Sequence, residues 1–200
     1  MRAEIILFEG FDDLDALAPY EVLRRAATQG ADLTVELVTV DGAAEARTAY
    51  GVALRSLGML GTPDVLVVPG GGFVGRAPRG VRAEMNSGLI PDAIAKAHGR
   101  GAIIATVCTG ALLAAAGGIL RGHRATTHHQ AIADLRMAGA EVITARVVDD
   151  GDIISAGGVT SGLDLALYLI ERFFSPALAL RIEEQMEYER RGTVWRGASH

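Results

Sequence analysis

The chain holds one cysteine, Cys108, at the point where the sequence pattern changes. Residues 102–107 are apolar with strand character (Ile103, Ile104, Val107). After Cys108-Thr109-Gly110 the chain becomes Ala/Leu-rich, with helix character. A new helix presents unpaired N–H groups and the positive end of its dipole. The pattern therefore predicts a thiol with a lowered pKa, able to act as a thiolate nucleophile. The plainer reading is a small buried hydrophobe, the usual state of a free cysteine. Asp15 is a second candidate. It is flanked by Leu14, Ala16, Leu17 and Ala18, and desolvation there would raise its pKa and hold it protonated as a general acid. The alternative is an ordinary first-turn helix acid beside Asp12 and Asp13.

Gly70, Gly71 and Gly72 follow a compact strand. Their N–H groups are candidates to stabilise an anion formed by thiolate attack; the alternative is a tight turn that needs small residues. Gly70 to Gly75 also has the GxGxxG spacing of a dinucleotide fingerprint, but a loop-like stretch, residues 76–80, follows where a helix should open. No cofactor is expected. His128 follows a short strand and is a candidate pocket wall or a loop histidine. Its neighbour His129 would point to the opposite face, and His98 and His123 have no partner at ligand spacing, so no metal site is predicted.

The elements that must position these groups alternate between strand and helix. Strands are predicted at residues 2–8, 33–40, 64–68, 103–107 and 124–127, with a short hairpin at 47–56. Residues 141–148 and 152–156 read as paired strands turning at Asp149-Asp150-Gly151. Helices are predicted from Asp12, over 81–99 with breaks near Ser87-Gly88 and Pro91, and after Cys108. Further helices are predicted at 131–138, 160–173 and 176–189. Pro19 means that the first helix either begins near Ala18 or kinks there. The tail from Arg190 is not readable. This order predicts one α/β domain over residues 1–200, an open and largely parallel sheet with helices on both faces, and a site at the carboxyl ends of the strands.

Composition narrows the function. One cysteine excludes an intrachain disulfide and argues against a cysteine-based metal site. A net charge of −5 without a basic block argues against nucleic acid. The apolar run 102–120 is interrupted by the Cys-Thr-Gly turn and Gly117-Gly118, so no membrane span is expected and a cytoplasmic protein is.

Four motifs carry a resemblance across nearly the whole chain: FEGFDDLDALAPYEVL (8–23), VVPGGG (67–72), ATVCTGALLAAAGGILRGHRATTHH (105–129) and RVVDDGDIISAGGVTSGLDLAL (146–167). The chain resembles the ThiJ/PfpI superfamily, in the class I glutamine amidotransferase-like group, and within it the isocyanide hydratase branch. The resemblance implies a flavodoxin-like three-layer sandwich, a dimer, and a cysteine at a strained nucleophile elbow. It implies Cys108 as nucleophile and Asp15, ahead of Pro19, as its partner. Thr109 is implied to hydrogen-bond near the acid and the substrate, with Gly70 and Gly71 lining the same pocket. Protease-like members carry histidine after the cysteine, and Thr109 argues against that chemistry. Many chaperone-like and glyoxalase-like members have glutamate where this chain has Asp15. Related sequences often read TTHW where this chain has Thr126-Thr127-His128-His129, which implies a different pocket wall or substrate size. Sensor halves of AraC-type regulators share the domain, but no helix-turn-helix region follows here. The expected reaction is hydration of an isocyanide to an N-substituted formamide. The alternatives are a glyoxalase or deglycase activity on small aldehydes, and a non-catalytic redox or ligand sensor, since an exposed low-pKa cysteine oxidises readily.

Overall fold

The computed structural model describes residues 1–75 and 77–197. Arg76, within the expected loop 76–80, and residues 198–200 of the unread tail lie outside the described residues. In chain order the elements are β1 (Arg2–Ile6), α1 (Asp13–Thr28), β2 (Thr34–Val38), β3 (Glu45–Arg47), β4 (Ala53–Arg55) and β5 (Val65–Val68). Then come α2 (Val81–Ser87), α3 (Leu89–Gly99), β6 (Ile103–Val107), α4 (Gly110–Ala116) and β7 (Arg124–Ala125). The rest are α5 (Ile132–Met137), β8 (Glu141–Val142), β9 (Val147–Asp149), β10 (Ile153–Ala156), α6 (Ser161–Phe173), α7 (Pro176–Met186) and β11 (Trp195–Arg196).

The main sheet has the order β11-β9-β10-β6-β5-β1-β2. From β10 to β2 every neighbour is parallel. Such strands are covered on both faces and read as continuous apolar runs, and all four residues of β5 and all four of β10 are buried. Helices α1, α6 and α7 pack together on one face, and α2, α3, α4 and α5 on the other. This is the expected three-layer flavodoxin-like arrangement.

Register places the site. Val68 of β5 pairs with Thr106 of β6, and Val107 pairs with Ala156 of β10. The strands therefore release Pro69, Cys108 and Gly157 at the same edge of the sheet.

Several readings change. The break expected near Pro91 is absent, because Pro91 falls in the first turn of α3, where no intrahelical N–H bond is needed. The predicted strand 141–148 is two elements: β8 pairs with β7 in a small separate sheet, while β9 pairs antiparallel with β10. The strand 124–127 contributes only β7, which lies outside the main sheet. The tail adds an edge strand, β11, whose Trp195 pairs with Val148; two residues are too few to leave a periodic signal. Pro19 does not delay α1, which begins at Asp13 with Asp12 Oδ1 accepting from the Leu14 N–H at 3.1 Å. The ring packs against α6 at a glycine: a Cβ at Gly162 would be 3.2 Å from Pro19 Cδ.

Candidate active site

Cys108 sits between β6 and α4 with φ +56°, in the left-handed region. For a residue with a Cβ this costs about 1–2 kcal/mol, so the surroundings must hold it there. The Cys108 N–H is shared between the carbonyls of Ala156 (3.1 Å) and Gly157 (3.0 Å). Thr127 Oγ1 donates to the Cys108 carbonyl at 2.8 Å. Below the turn, a Cβ at Gly110 would be 2.2 Å from the Val68 carbonyl. Only glycine lets α4 start so close to β5. Strain of this kind, fixed by its neighbours, is typical of functional turns.

Asp15 reaches the same edge from the first turn of α1 and is fully buried. Its Oδ2 accepts the Gly70 N–H at 3.0 Å, while the buried Oδ1 has no hydrogen-bond donor. Burial, reinforced by the charge of Asp12, pushes the carboxyl well above its usual range; the Gly70 N–H and Cys108 pull the other way. This is the direction its apolar flanks predict. The thiol corrects an expectation. The Thr109 N–H favours the thiolate, but burial and the neighbouring Asp15 outweigh it and push the Cys108 thiol up, not down. A short helix start offers a fraction of a charge, whereas Asp15 offers a whole one. Asp15 and Cys108 therefore titrate as a pair that resists holding two negative charges.

The glycine loop is also corrected. The Gly70 N–H is committed to Asp15, and the Gly71 N–H donates to Thr109 Oγ1 at 3.0 Å. Those two groups position the acid and the turn; they are not spare anion donors in this arrangement. Gly72, with φ +67°, folds the loop back onto Arg79 and Gly80. Asp15 and Thr109 thus accept from neighbouring N–H groups of the same glycine loop.

His128 stands at the side of this edge. Its Nδ1 accepts from the Gln130 N–H at 3.3 Å, which leaves the proton on Nε2. The ring lies against Gly158, where a Cβ would be 2.3 Å from His128 Cδ2. Burial and the His129 charge push its pKa below the usual value of 6.5, partly opposed by Asp12. Asp12 is a residue that the sequence reading passed over as a helix acid. Burial raises its carboxyl, and its charge acts on Asp15, Cys108 and His128. Thr127 and Gly157 were also missed as holders of the cysteine turn; their contacts depend on strand register, which leaves no local mark.

Among the described residues no group of three or more His, Cys, Asp or Glu side chains is arranged to hold a metal ion. No helix among them is long and apolar enough to cross a membrane.

Comparison with known proteins agrees with this architecture. An isonitrile hydratase of Pseudomonas putida is 32% identical over 191 residues, covering 94% of this chain and 78% of that protein. A deglycase of Pyrococcus horikoshii is 28% identical over 159 residues, 78% of this chain and 89% of the relative. The crystal structure of a ThiJ/PfpI family protein from Pseudomonas syringae superposes with a TM-score of 0.82 at 25% identity, over 96% of this chain and 76% of that one. Residues 1–172 match the DJ-1/PfpI family as a whole. With the sheet order, the strained cysteine turn and these matches in agreement, the chain belongs to the DJ-1/PfpI family.

Proposed function

We propose that the protein is a cysteine-dependent hydratase that converts an isocyanide into an N-substituted formamide. The observation that carries this reading is the pairing of Cys108, held at φ +56°, with a buried Asp15 whose Oδ1 has no fixed donor. Oδ1 is thereby free to trade a proton with the sulfur and then with substrate. The turn serves as the nucleophile elbow.

The steps balance with one shared proton. Asp15 takes the thiol proton as Cys108 Sγ bonds to the terminal isocyanide carbon, and returns that proton to the same carbon. A thioimidate results, with nitrogen doubly bonded to carbon. Asp15, again a carboxylate, accepts a proton from water as the water oxygen bonds to that carbon, and delivers it to nitrogen. Collapse breaks the C–S bond, and the hydroxyl proton returns to the Asp15–Cys108 pair. Acid–base help of this kind contributes about 10²–10⁴ in rate. Because the pair avoids a standing thiolate, the nucleophile is generated only as attack proceeds.

A second reading, an aldehyde-directed glyoxalase or deglycase activity using the same two residues, is favoured by the likeness to the Pyrococcus horikoshii deglycase. The two separate in one panel: formamide formation from isocyanides and lactate formation from methylglyoxal, each with wild type and Cys108→Ala. The hydratase reading expects formamide from wild type and none from Cys108→Ala. Formamide production retained by Cys108→Ala would refute the covalent route. A protein inactive on both substrates, with Cys108 gaining two oxygens in dilute peroxide, would instead be a redox sensor. We take the working unit to be a homodimer. Tyr50, Val52, Leu57 and Met59, exposed in and beside the β3–β4 hairpin, support that reading, and sedimentation velocity tests it.

A further inference from the structure

Beside the cysteine turn lies a groove of about 630 Å³, lined among others by Thr126, Thr127, His128, Arg146, Gly158 and Thr160. Two hydrogen bonds tie its floor to the nucleophile. Gly157, whose carbonyl accepts the Cys108 N–H, donates its own N–H to the Arg146 carbonyl at 3.0 Å. Cys108, Gly157 and Arg146 thus stand where β6, β10 and β9 meet this edge of the sheet. Strands lie about 4.8 Å apart, so the Arg146 backbone is about 10 Å from that of Cys108.

Arg146 is the permanently charged side chain lining this groove, and it is held firmly. Its Nε donates to Asp164 Oδ2 at 2.5 Å and its Nη2 to Thr160 Oγ1 at 2.9 Å. Asp164 is saturated from behind, accepting the Tyr188 hydroxyl at 3.0 Å and the Arg191 N–H at 2.8 Å. The two partners differ in exposure: the Arg146 side chain is 22% exposed and that of Asp164 4%. Arg146 lines this groove and Asp164 does not, so the groove presents the cation, while its counter-ion, on α6, is nearly closed to solvent. A guanidinium has five N–H donors; Asp164, Thr160 and the neighbouring Tyr188 hydroxyl engage some of them, and the remainder can serve a ligand. Ile132, Ala145 and Val159 add apolar wall.

We infer that this groove takes the distal end of the substrate and that Arg146 binds an anionic group there, a carboxylate separated from the reacting carbon by an aliphatic spacer. The inference rests on the hydratase reading for the reacting group, not for the anion. Arg146 is a specificity residue, remote from the bonds that change. An isocyanide with a short carboxylated chain cannot span from Cys108 to Arg146, whereas one with several methylenes can.

The test compares ω-isocyanohexanoate with its methyl ester, and isocyanoacetate with its methyl ester, by kcat and KM. A charge-assisted hydrogen bond predicts a KM about tenfold to a hundredfold lower for the long carboxylate than for its ester, and no such gap for the short pair. Arg146→Ala alone would strand a buried carboxylate, so the variant is Arg146→Met with Asp164→Leu, which removes both charges of the pair. In it the carboxylate-to-ester ratio should fall to near one. Titration calorimetry with the formamide of ω-aminohexanoate and its methyl ester reads the same preference without turnover. Formamide acid bound more tightly than its ester, with no isocyanide consumed, would sink the hydratase reading and keep the subsite. Equal KM and equal binding of acid and ester in the wild type would overturn the subsite, as would a preference that survives in the double variant.

Discussion

Replacing Gly70 with alanine tests whether the three strand ends must touch for the site to form. A Cβ there would lie 2.5 Å from both the Thr109 nitrogen and Oγ1, and 2.9 Å from the Gly110 nitrogen. Two of these three are backbone atoms of the cysteine turn and cannot swing away. Ordinary contact begins near 3.4 Å, so the loop and the turn must part by about 0.9 Å. That opening stretches the Gly70 bond to Asp15 and the Gly71 bond to Thr109, both 3.0 Å in the native site. Overpacking costs about 1–3 kcal/mol and a weakened hydrogen bond about 1 kcal/mol. Alanine itself is conformationally acceptable, because the Gly70 φ lies outside the left-handed region. The expected loss is about 2–4 kcal/mol, or a fall in Tm of about 5–15 °C for a chain of this size. A misplacement approaching 1 Å costs about a hundredfold in turnover. Differential scanning calorimetry and formamide production on the same preparation measure both. Gly75→Ala is the control, since nothing lies within 4 Å of its added Cβ. A Gly70→Ala protein that melts with the wild type and keeps its full rate would refute the close-approach argument.

Other expectations follow from the buried acid and the ion pairs. Asp15 is raised above 3.8 in the fold, so above that pH the native state holds more proton than the unfolded chain and stability falls as pH rises. Asp15→Asn should therefore melt higher than wild type at pH 7, with the difference closing toward pH 4, while turnover falls about 10²–10⁴-fold. Alkylation of Cys108 by iodoacetamide should be slow at pH 7 and climb into the alkaline range, and Asp15→Asn should accelerate it by removing a charge that raises the thiol; a rate already flat below pH 8 in the wild type would contradict the buried pair. Asp164→Ala leaves Arg146 without its buried partner and should cost about 3–5 kcal/mol, read in urea denaturation.

Much of the fold was legible. Period changes marked the strand–helix alternation, and the apolar runs of β1, β5, β6 and β10 announced a sheet covered on both faces. What local pattern missed was short or non-local. The pairings of β7 with β8 and of β11 with β9 each involve two residues per strand, too few for a periodicity. The packing of Pro19 against Gly162, on a helix far along the chain, is likewise invisible to local pattern.

The site divides in the same way. Residue type alone marked Cys108, Asp15 and the glycine run, because one thiol at a change of period and one acid among apolar neighbours are local facts. Sequence also predicted the wrong sign for the thiol, since it registered the helix start but not the depth of burial or the distance to Asp15. Those belong to the register that aligns Val68, Val107 and Ala156. The same alignment brings Gly157 and Arg146 beside Cys108 and assigns the Gly70 and Gly71 N–H groups to Asp15 and Thr109. Sequence marked the candidate groups. Tertiary structure decided their protonation, because charge energies depend on separation and solvent access, which a one-dimensional pattern does not contain.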